Sequence, residues 1–455
     1  MKLLIVLALF VIAANAVPFA KHFTKANKGK NWILLCAGSN GWYNYADQAI
    51  VYKAWHLFRS YGIPEENIII FHYDDITNNK ANPTPGIVIN DFNGTDVYKG
   101  VPKDYTGKDV TPKNFLGALQ GDQELANQGK KVINSGPDDH IFAYFGDHGM
   151  PGAVMFATGQ LYATDLNKAL VDMHSKNKFA KLVFYIDTCE SGSMFDKLLP
   201  ANINIYAATS STPKDPSYFW KYDKTYKTFL GAWFASYWLI NDEAVDLDTE
   251  NFDQQFKLFA DRYNVTEPTS PGIQHAQRYG HKPHNYTSKI NVHDNEKNYG
   301  AVIKWDAPLY ILQRRISETN DVDEKNELTK ELETILKGRE YVDNVFNEYV
   351  NSREYVDNVF NEYVNSIQHL MPNIATNAIL HTKQELNNHE CYRKLVDTFN
   401  DKCFNLNKNT YVLRKMQIFV NICEHMTESS DADIAVNQLV QHCQQNVNNQ
   451  FTNII

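Results

Sequence analysis

A histidine and a cysteine, some forty residues apart, each close a short apolar run. Residues 140–149 read HIFAYFGDHG, and residues 182–192 read LVFYIDTCESG. A thiol ordinarily titrates near pH ~8.5, and only its thiolate attacks well. An imidazole beside it can take the proton and later return it to a leaving amine, so Cys189 with His148 suffices for acyl transfer. Gly149, directly after the histidine, would let a substrate carbonyl approach a backbone N–H. That N–H, with the one at Cys189, could hold an oxyanion, an effect worth roughly 3–4 kcal/mol per donor. Either run alone reads more readily as a buried structural cysteine or an unrelated loop histidine. Together, with small residues flanking both, they point to catalysis.

Such residues must be delivered by a scaffold. Both runs are rich in aromatic and β-branched residues, as expected of strands buried on both faces of a parallel sheet. In open α/β sheets the ligand crevice lies outside the carboxyl ends of the strands, where both polar clusters would emerge. Residues 31–38 (NWILLCAG) and 67–73 (NIIIFHY) read as two further strands, with helical spacing over 45–61 between them. The stretch 74–111 is a long loop rich in Pro, Gly and Asn, a kind usually kept for function. Thr164 is a candidate N-cap for a helix reaching about residue 178, and 202–209 (NINIYAAT) is another strand. The alternation predicts an α/β fold, a mostly parallel sheet with helices on both faces.

The 455-residue chain is 43% hydrophobic, enough for one large domain and a smaller one. Lys2, the apolar residues 3–14 and the pattern Ala14-Asn15-Ala16 read as a secretory signal over residues 1–16. Three N-x-[ST] sequons, at Asn93, Asn264 and Asn285, are candidate glycan sites on that route. Cys391, Cys403, Cys423 and Cys443 cluster near the end and read as two disulfides of a small helical segment. Residues 321–455 carry 12 Lys and Arg against 20 Asp and Glu, so all but one of the nine net negative charges lie there. No basic patch suggests nucleic acid, no later apolar run suggests a membrane anchor, and the histidines lack metal-ligand spacing. No cofactor or metal is expected. Residues 339–352 and 353–366 repeat REYVDNVFNEYVNS, two heptads that would extend a helix while keeping one face buried.

Residues 37–45 (AGSNGWYNY), 82–90 (NPTPGIVIN), 93–111 and 189–194 (CESGSM) resemble the legumains, the asparaginyl endopeptidases or vacuolar processing enzymes. The resemblance runs from about residue 31 to the end. It implies a caspase-like fold over residues 17–307, a linker with activation helices over 308–366, and a helical, disulfide-braced prodomain over 367–455. It implies Cys189 as nucleophile, His148 as general base, Asn44 as the orienting third residue and Gly149 in the oxyanion hole. Asp147 matches an Asp that in this family can cyclise to a succinimide. The pairs Cys391–Cys423 and Cys403–Cys443 are implied, as is activation cleavage after Asn320. The function implied is that of a zymogen acting in lysosome, vacuole or outside the cell. It would cleave protein or peptide substrates after Asn and be inhibited by its own prodomain. The same acyl-enzyme serves a peptide ligase if an amine reaches it before water. A transamidase subunit fits less well without a membrane helix, and a catalytically impaired binding homologue remains an alternative.

The substrate pocket departs from the family. Ala46 and Asp47 stand where the resemblance expects an arginine and a histidine, Asp187 replaces a glutamate, and Ala232 replaces an aspartate. Only Ser217 is retained. An amide-reading pocket needs donors as well as acceptors, because an unpaired buried polar group costs about 1–3 kcal/mol. The expectation is a net acidic pocket that accepts a basic or a less selective neutral side chain. The acidic C-terminal region suggests acid release through Glu424, Glu428, Asp431 and Asp433.

Overall fold

The structure, a computed structural model, describes residues 29–244, 255–256, 277–280, 300–346 and 363–446, except 373, 427 and 429. The signal segment, Asn264, Asn285 and most of the tandem repeat lie outside the described residues.

The main sheet has seven strands in the order β12-β9-β8-β4-β1-β2-β3. β1 (Asn31–Ala37), β2 (Ile68–His72), β4 (His140–Gly146), β8 (Lys181–Asp187) and β9 (Ile205–Thr209) run parallel. β3 (Tyr105–Thr106) extends them at one edge from within the expected loop, and β12 (Gln277–Gly280) closes the other antiparallel.

Side-chain alternation along the strands makes two cores. Ile33, Leu35, Tyr144, Val183 and Tyr185 face one, with α1 (Tyr45–Ser60) and Phe234 and Trp238 of α4 (Trp233–Ala244). Leu34, Cys36, Ala143, Phe145, Phe184 and Ile186 face the other, with residues of α2 (Pro112–Gln120) and α3 (Ala163–Ser175). The strands read as continuous apolar runs because both faces are covered.

The helix expected to be capped by Thr164 is capped two residues earlier, by Tyr162 without a side-chain bond, and begins at Ala163. β7 (Gly159–Tyr162) runs straight into it, so the incoming strand sets the start. Two small antiparallel sheets lie outside the periodicity reading: β5 (Gly149–Met150), β6 (Ala153–Phe156) and β7; and β10 (Tyr218–Asp223), β11 (Thr228–Ala232) and β13 (Ala301–Ile303). β5, β6, β7 and β13 are two to four residues long, too short for alternation to show, and β10 and β11 are buried along nearly their whole length and do not alternate.

Beyond β13 the chain is helical: α5 (Ala307–Glu318), α6 (Val322–Phe346), α7 (His389–Lys402), α8 (Gln417–His425) and α9 (Asp431–Asn446) are its main helices. Disulfides join Cys391 to Cys423 and Cys403 to Cys443, fastening α7 to α8 and to α9. Among the described residues no helix is long and apolar enough to cross a membrane.

Candidate active site

β4 and β8 pair in parallel with Gly146 opposite Asp187. His148 and Cys189 therefore each stand two residues past a matched pair, on the same sheet rim. That placement follows from register alone.

His148 Nε2 lies 2.9 Å from Asn44 Oδ1, an acceptor, so Nε2 carries the proton. Asn44 is the N-cap of α1, fixed by its Nδ2 donating to the Asn40 carbonyl. Nδ1 of His148 is buried with no hydrogen-bond partner among the described residues and is left with its lone pair. Burial and, second, the Lys304 charge lower the imidazole to about 3, so it is neutral. Cys189 is buried as well. Its sulfur accepts from the Ser217 N–H at 3.3 Å, and burial pushes the thiol well up. A Cβ on Gly149 would run into the Cys189 carbonyl oxygen and, at 2.6 Å, Thr188 Oγ1. Only glycine lets the two loops meet this closely. The arrangement is a neutral thiol and imidazole, an unsatisfied base nitrogen, and backbone packed to bring two chain ends together.

Beside it, Asp187 Oδ1 accepts from Ser217 Oγ at 2.8 Å and its Oδ2 from the Ala235 N–H at 3.2 Å. Asp47 Oδ2 accepts from Ser39 at 2.9 Å. Ala46 and Ala232 pack into the apolar core behind these groups. The pocket is not the uncompensated acidic one expected. Lys304 Nζ lies 3.2 Å from Asp47 Oδ1 and 3.5 Å from Asp187 Oδ1, with all three side chains fully buried. Burial pulls the Lys304 ammonium down, but Asp187 and Asp47 outweigh it and hold it above its usual value. Burial raises Asp47 and raises Asp147 well above the carboxylate range. Lys304 escaped the sequence reading because it lies over a hundred residues from the nucleophile. Its one signal was a lone cation in the apolar run Val302-Ile303-Lys304-Trp305. Among the described residues no cluster of His, Cys, Asp and Glu is placed to hold a metal ion.

The Peptidase C13 family matches residues 31–289, and the legumain prodomain matches residues 330–443. Mouse legumain (Mus musculus) is 38% identical over 92% of this chain and 94% of its own length. Human legumain (Homo sapiens) is 36% identical over the same shares, and the vacuolar-processing enzyme of Vicia sativa 35% over 89% and 85%. The chain belongs to the Peptidase C13 family. It is a cysteine-type endopeptidase with the legumain prodomain attached. Among solved structures, caspase-1 of Spodoptera frugiperda overlays 57% of this chain and 89% of its own, at 9% identity and a TM-score of 0.35.

In this C13 peptidase the prodomain helices share a hydrophobic core with the site. Cys189, Met150, Met155 and Tyr162 cluster with Tyr392, Leu395, Val396 and Phe399 of α7. A Cβ on Gly152 would meet the Leu386 side chain at 2.5 Å and Tyr392 at 3.8 Å. The rim of this contact is polar. Arg393 pairs with Asp165 at 2.9 Å and lies over the Tyr162 ring, while Asp397 accepts from Tyr162 at 2.6 Å and from Gln160 at 3.0 Å. Lys197 pairs with Glu385, and Lys383 donates to the Lys214 carbonyl at 2.7 Å. Glu190, directly after the cysteine, is buried here and pushed up to about 8 by that burial.

Three of the four carboxylates expected to hold the enzyme do something else. Glu424 accepts from the N–H groups of Asn387 and Asn388, Asp433 pairs with Lys394, and Asp431 accepts from the Glu428 N–H. All these bonds stay within the helical region and brace its turns and caps. Asn320 lies exposed in the short break between α5 and α6, where Asp321 accepts from the Asp323 and Glu324 N–H groups and caps α6. Asn93, the one sequon among the described residues, is exposed in a left-handed turn at φ 51°.

Proposed function

We propose that this C13 peptidase is a zymogen whose Cys189, His148 and Asn44 hydrolyse peptide bonds through an acyl-enzyme once the prodomain leaves. The observation that carries the reading is the His148–Asn44 contact, in which the amide oxygen accepts the Nε2 proton and so leaves Nδ1 as the base. Nδ1 takes the Cys189 proton as the sulfur attacks the scissile carbonyl carbon. The N–H groups of Gly149 and Cys189 hold the oxyanion. Collapse of the tetrahedral intermediate breaks the C–N bond, and the imidazolium protonates the departing amine. Water, deprotonated by His148, then cleaves the thioester. An amine in place of that water gives ligation from the same intermediate.

Asp47, Asp187, Ser217, Ala46 and Ala232 form the substrate pocket in this reading. It accepts Asn with relaxed selectivity, because the donors of Lys304 and Ser217 are already engaged with Asp47, Asp147, Asp187 and the Cys189 sulfur. Activation cuts after Asn320, in the exposed break between helices, and the prodomain (residues 367–455) follows the catalytic domain (17–307) and linker (308–366). The legumain and vacuolar-processing relatives support lysosomal or vacuolar residence, with the signal segment and glycans at Asn93, Asn264 and Asn285 marking the secretory route. Acid-activated protein digesting a folded substrate, with cut sites mapped by mass spectrometry, tests this. Cuts enriched after Asn and absent with Cys189→Ala support it; cuts that persist with Cys189→Ala refute it.

A further inference from the structure

Lys304 touches every element that carries the proposed active site. Its Nζ donates to the Asp187 carbonyl at 2.8 Å, two residues before Cys189. It donates to the Asp147 carbonyl at 3.3 Å, one residue before His148. It donates to Asp47 Oδ1 at 3.2 Å, in the first turn of the helix that Asn44 caps. Its backbone N–H donates to the Ser217 carbonyl at 3.0 Å, and the Ser217 N–H reaches the Cys189 sulfur. Its ammonium also lies 4.9 Å from the centre of the Phe219 ring, against whose edge His148 stands at 6.3 Å.

We propose that Lys304 is the positioning and specificity-determining residue of this site: its ammonium ties together the chain ends bearing His148 and Cys189, and by occupying the acidic pair Asp47 and Asp187 it turns away a basic side chain before the scissile bond. The inference rests on the protease reading above. Two parallel strands end here: the Asp187 carbonyl takes one long last bond from the Asp147 N–H at 3.4 Å, and the ammonium, with three donors, adds a shorter bond to it and another to the Asp147 carbonyl. A buried cation persists only when paired, and this one meets two carboxylates and two carbonyls at once. The pairing works both ways. With Lys304 in place the two carboxylates are neutralised from inside the protein, so a substrate lysine or arginine finds no free counter-charge. Without it, Asp47, Asp147 and Asp187 from three different elements face one another, and the nearby His148 and Cys189 lose the one cation among the described residues that acts on them.

The test compares wild type, Lys304→Met and Lys304→Arg as full-length chains activated by acid, on a peptide library varied at the residue before the cut. Lys304→Met is expected to lower kcat at least tenfold while changing KM less than threefold. The acid limb of kcat/KM moves to higher pH, because His148 no longer sits beside a positive charge. Turnover of Lys and Arg peptides rises at least tenfold relative to Asn peptides. Lys304→Arg restores the acid limb. Should Lys304→Met not fold, Asp47→Asn/Lys304→Met removes one carboxylate with the cation, and the same shift of the acid limb is expected. A variant that is folded but keeps the wild-type acid limb and residue preference would overturn the proposal and leave the protease reading standing. Wild-type protein with no turnover and no label on Cys189 would overturn both.

Discussion

Asn44 Oδ1 accepts the Nε2 proton of His148 at 2.9 Å, which leaves Nδ1 unprotonated and, in the proposed mechanism, the base. Replacing Asn44 with Ala frees the ring to flip and to exchange tautomers. General-base catalysis is worth about a hundredfold to ten-thousandfold, and orientation is a share of that. Asn44→Ala should lower kcat about tenfold to a hundredfold with KM within a few fold, measured on the activated enzyme. An unchanged kcat would remove Asn44 from the machinery.

Gly149 is demanded by contact. A Cβ there meets the backbone of Cys189 and the side chain of Thr188, neither of which has room to yield. Gly149→Ala should therefore cost activity on the scale of a lost oxyanion donor, about a hundredfold to a thousandfold. The thermal midpoint of the zymogen should fall with it. Normal turnover by Gly149→Ala would show that the loops can part.

Two buried groups give the closed zymogen opposite pH dependences. His148 is held at about 3 from an ordinary 6.5, so the folded form binds fewer protons than the unfolded one. Its contribution is intact above pH 6.5 and is lost as the pH falls toward 3, about 1.4 kcal/mol per unit. His389, lowered by its own burial against the catalytic domain, acts in the same direction. Glu190 is raised from 4.5 to about 8, so its contribution is intact below pH 4.5 and is lost as the pH rises toward 8. Melting of the inert Cys189→Ala chain should thus show a stability plateau between these limbs. Glu190→Gln should remove the fall on the alkaline side alone, and His389→Gln should weaken the fall on the acid side. A melting curve flat from pH 3 to 8 would contradict both assignments.

The prodomain cap is fastened by named contacts. Asp397→Asn weakens it through the hydrogen bonds from Tyr162 and Gln160, and Arg393→Ala through the exposed Asp165 pair, about 1 kcal/mol or less, and somewhat more through the stacked guanidinium. Either should move the pH midpoint of release upward. Neutralising Glu424 and Asp433 together should leave that midpoint in place, because both bond within the helical region. Removing either disulfide, which closes 32 or 40 residues, should cost the prodomain about 4 kcal/mol at most and end latency at neutral pH.

Five of the seven strands of the main sheet were legible because they are buried on both faces, and an uninterrupted apolar run such as residues 140–146 has little else to become; β3, two residues inside the expected loop, and the edge strand β12 were not. Cys189 and His148 were legible because parallel strands present their carboxyl ends on one rim. The pocket was legible only in part. Asp47, Asp187 and Ser217 were named by the resemblance and not by local pattern, and they do gather around Lys304. Lys304 does not announce itself, since it reaches the site through the antiparallel pairing of β13 with β10, a contact of three residues on each strand. Acidic residues in the C-terminal region suggested an electrostatic clamp, but charge counts do not say which side a carboxylate faces. Glu424 turned inward to cap its own loop, while Glu385 and Asp397 took the interface.

A covalent adduct decides the central claim. Full-length protein brought to acid pH and treated with a peptide carrying a thiol-reactive group at its carboxyl end should gain one probe mass on the peptide containing Cys189. Cys36, also free, should remain unmodified because it is buried beneath the sheet rim. Labelling should vanish with Cys189→Ser and fall at least tenfold with His148→Ala. Labelling that ignores His148, or that appears on Cys36 and not on Cys189, would contradict the account.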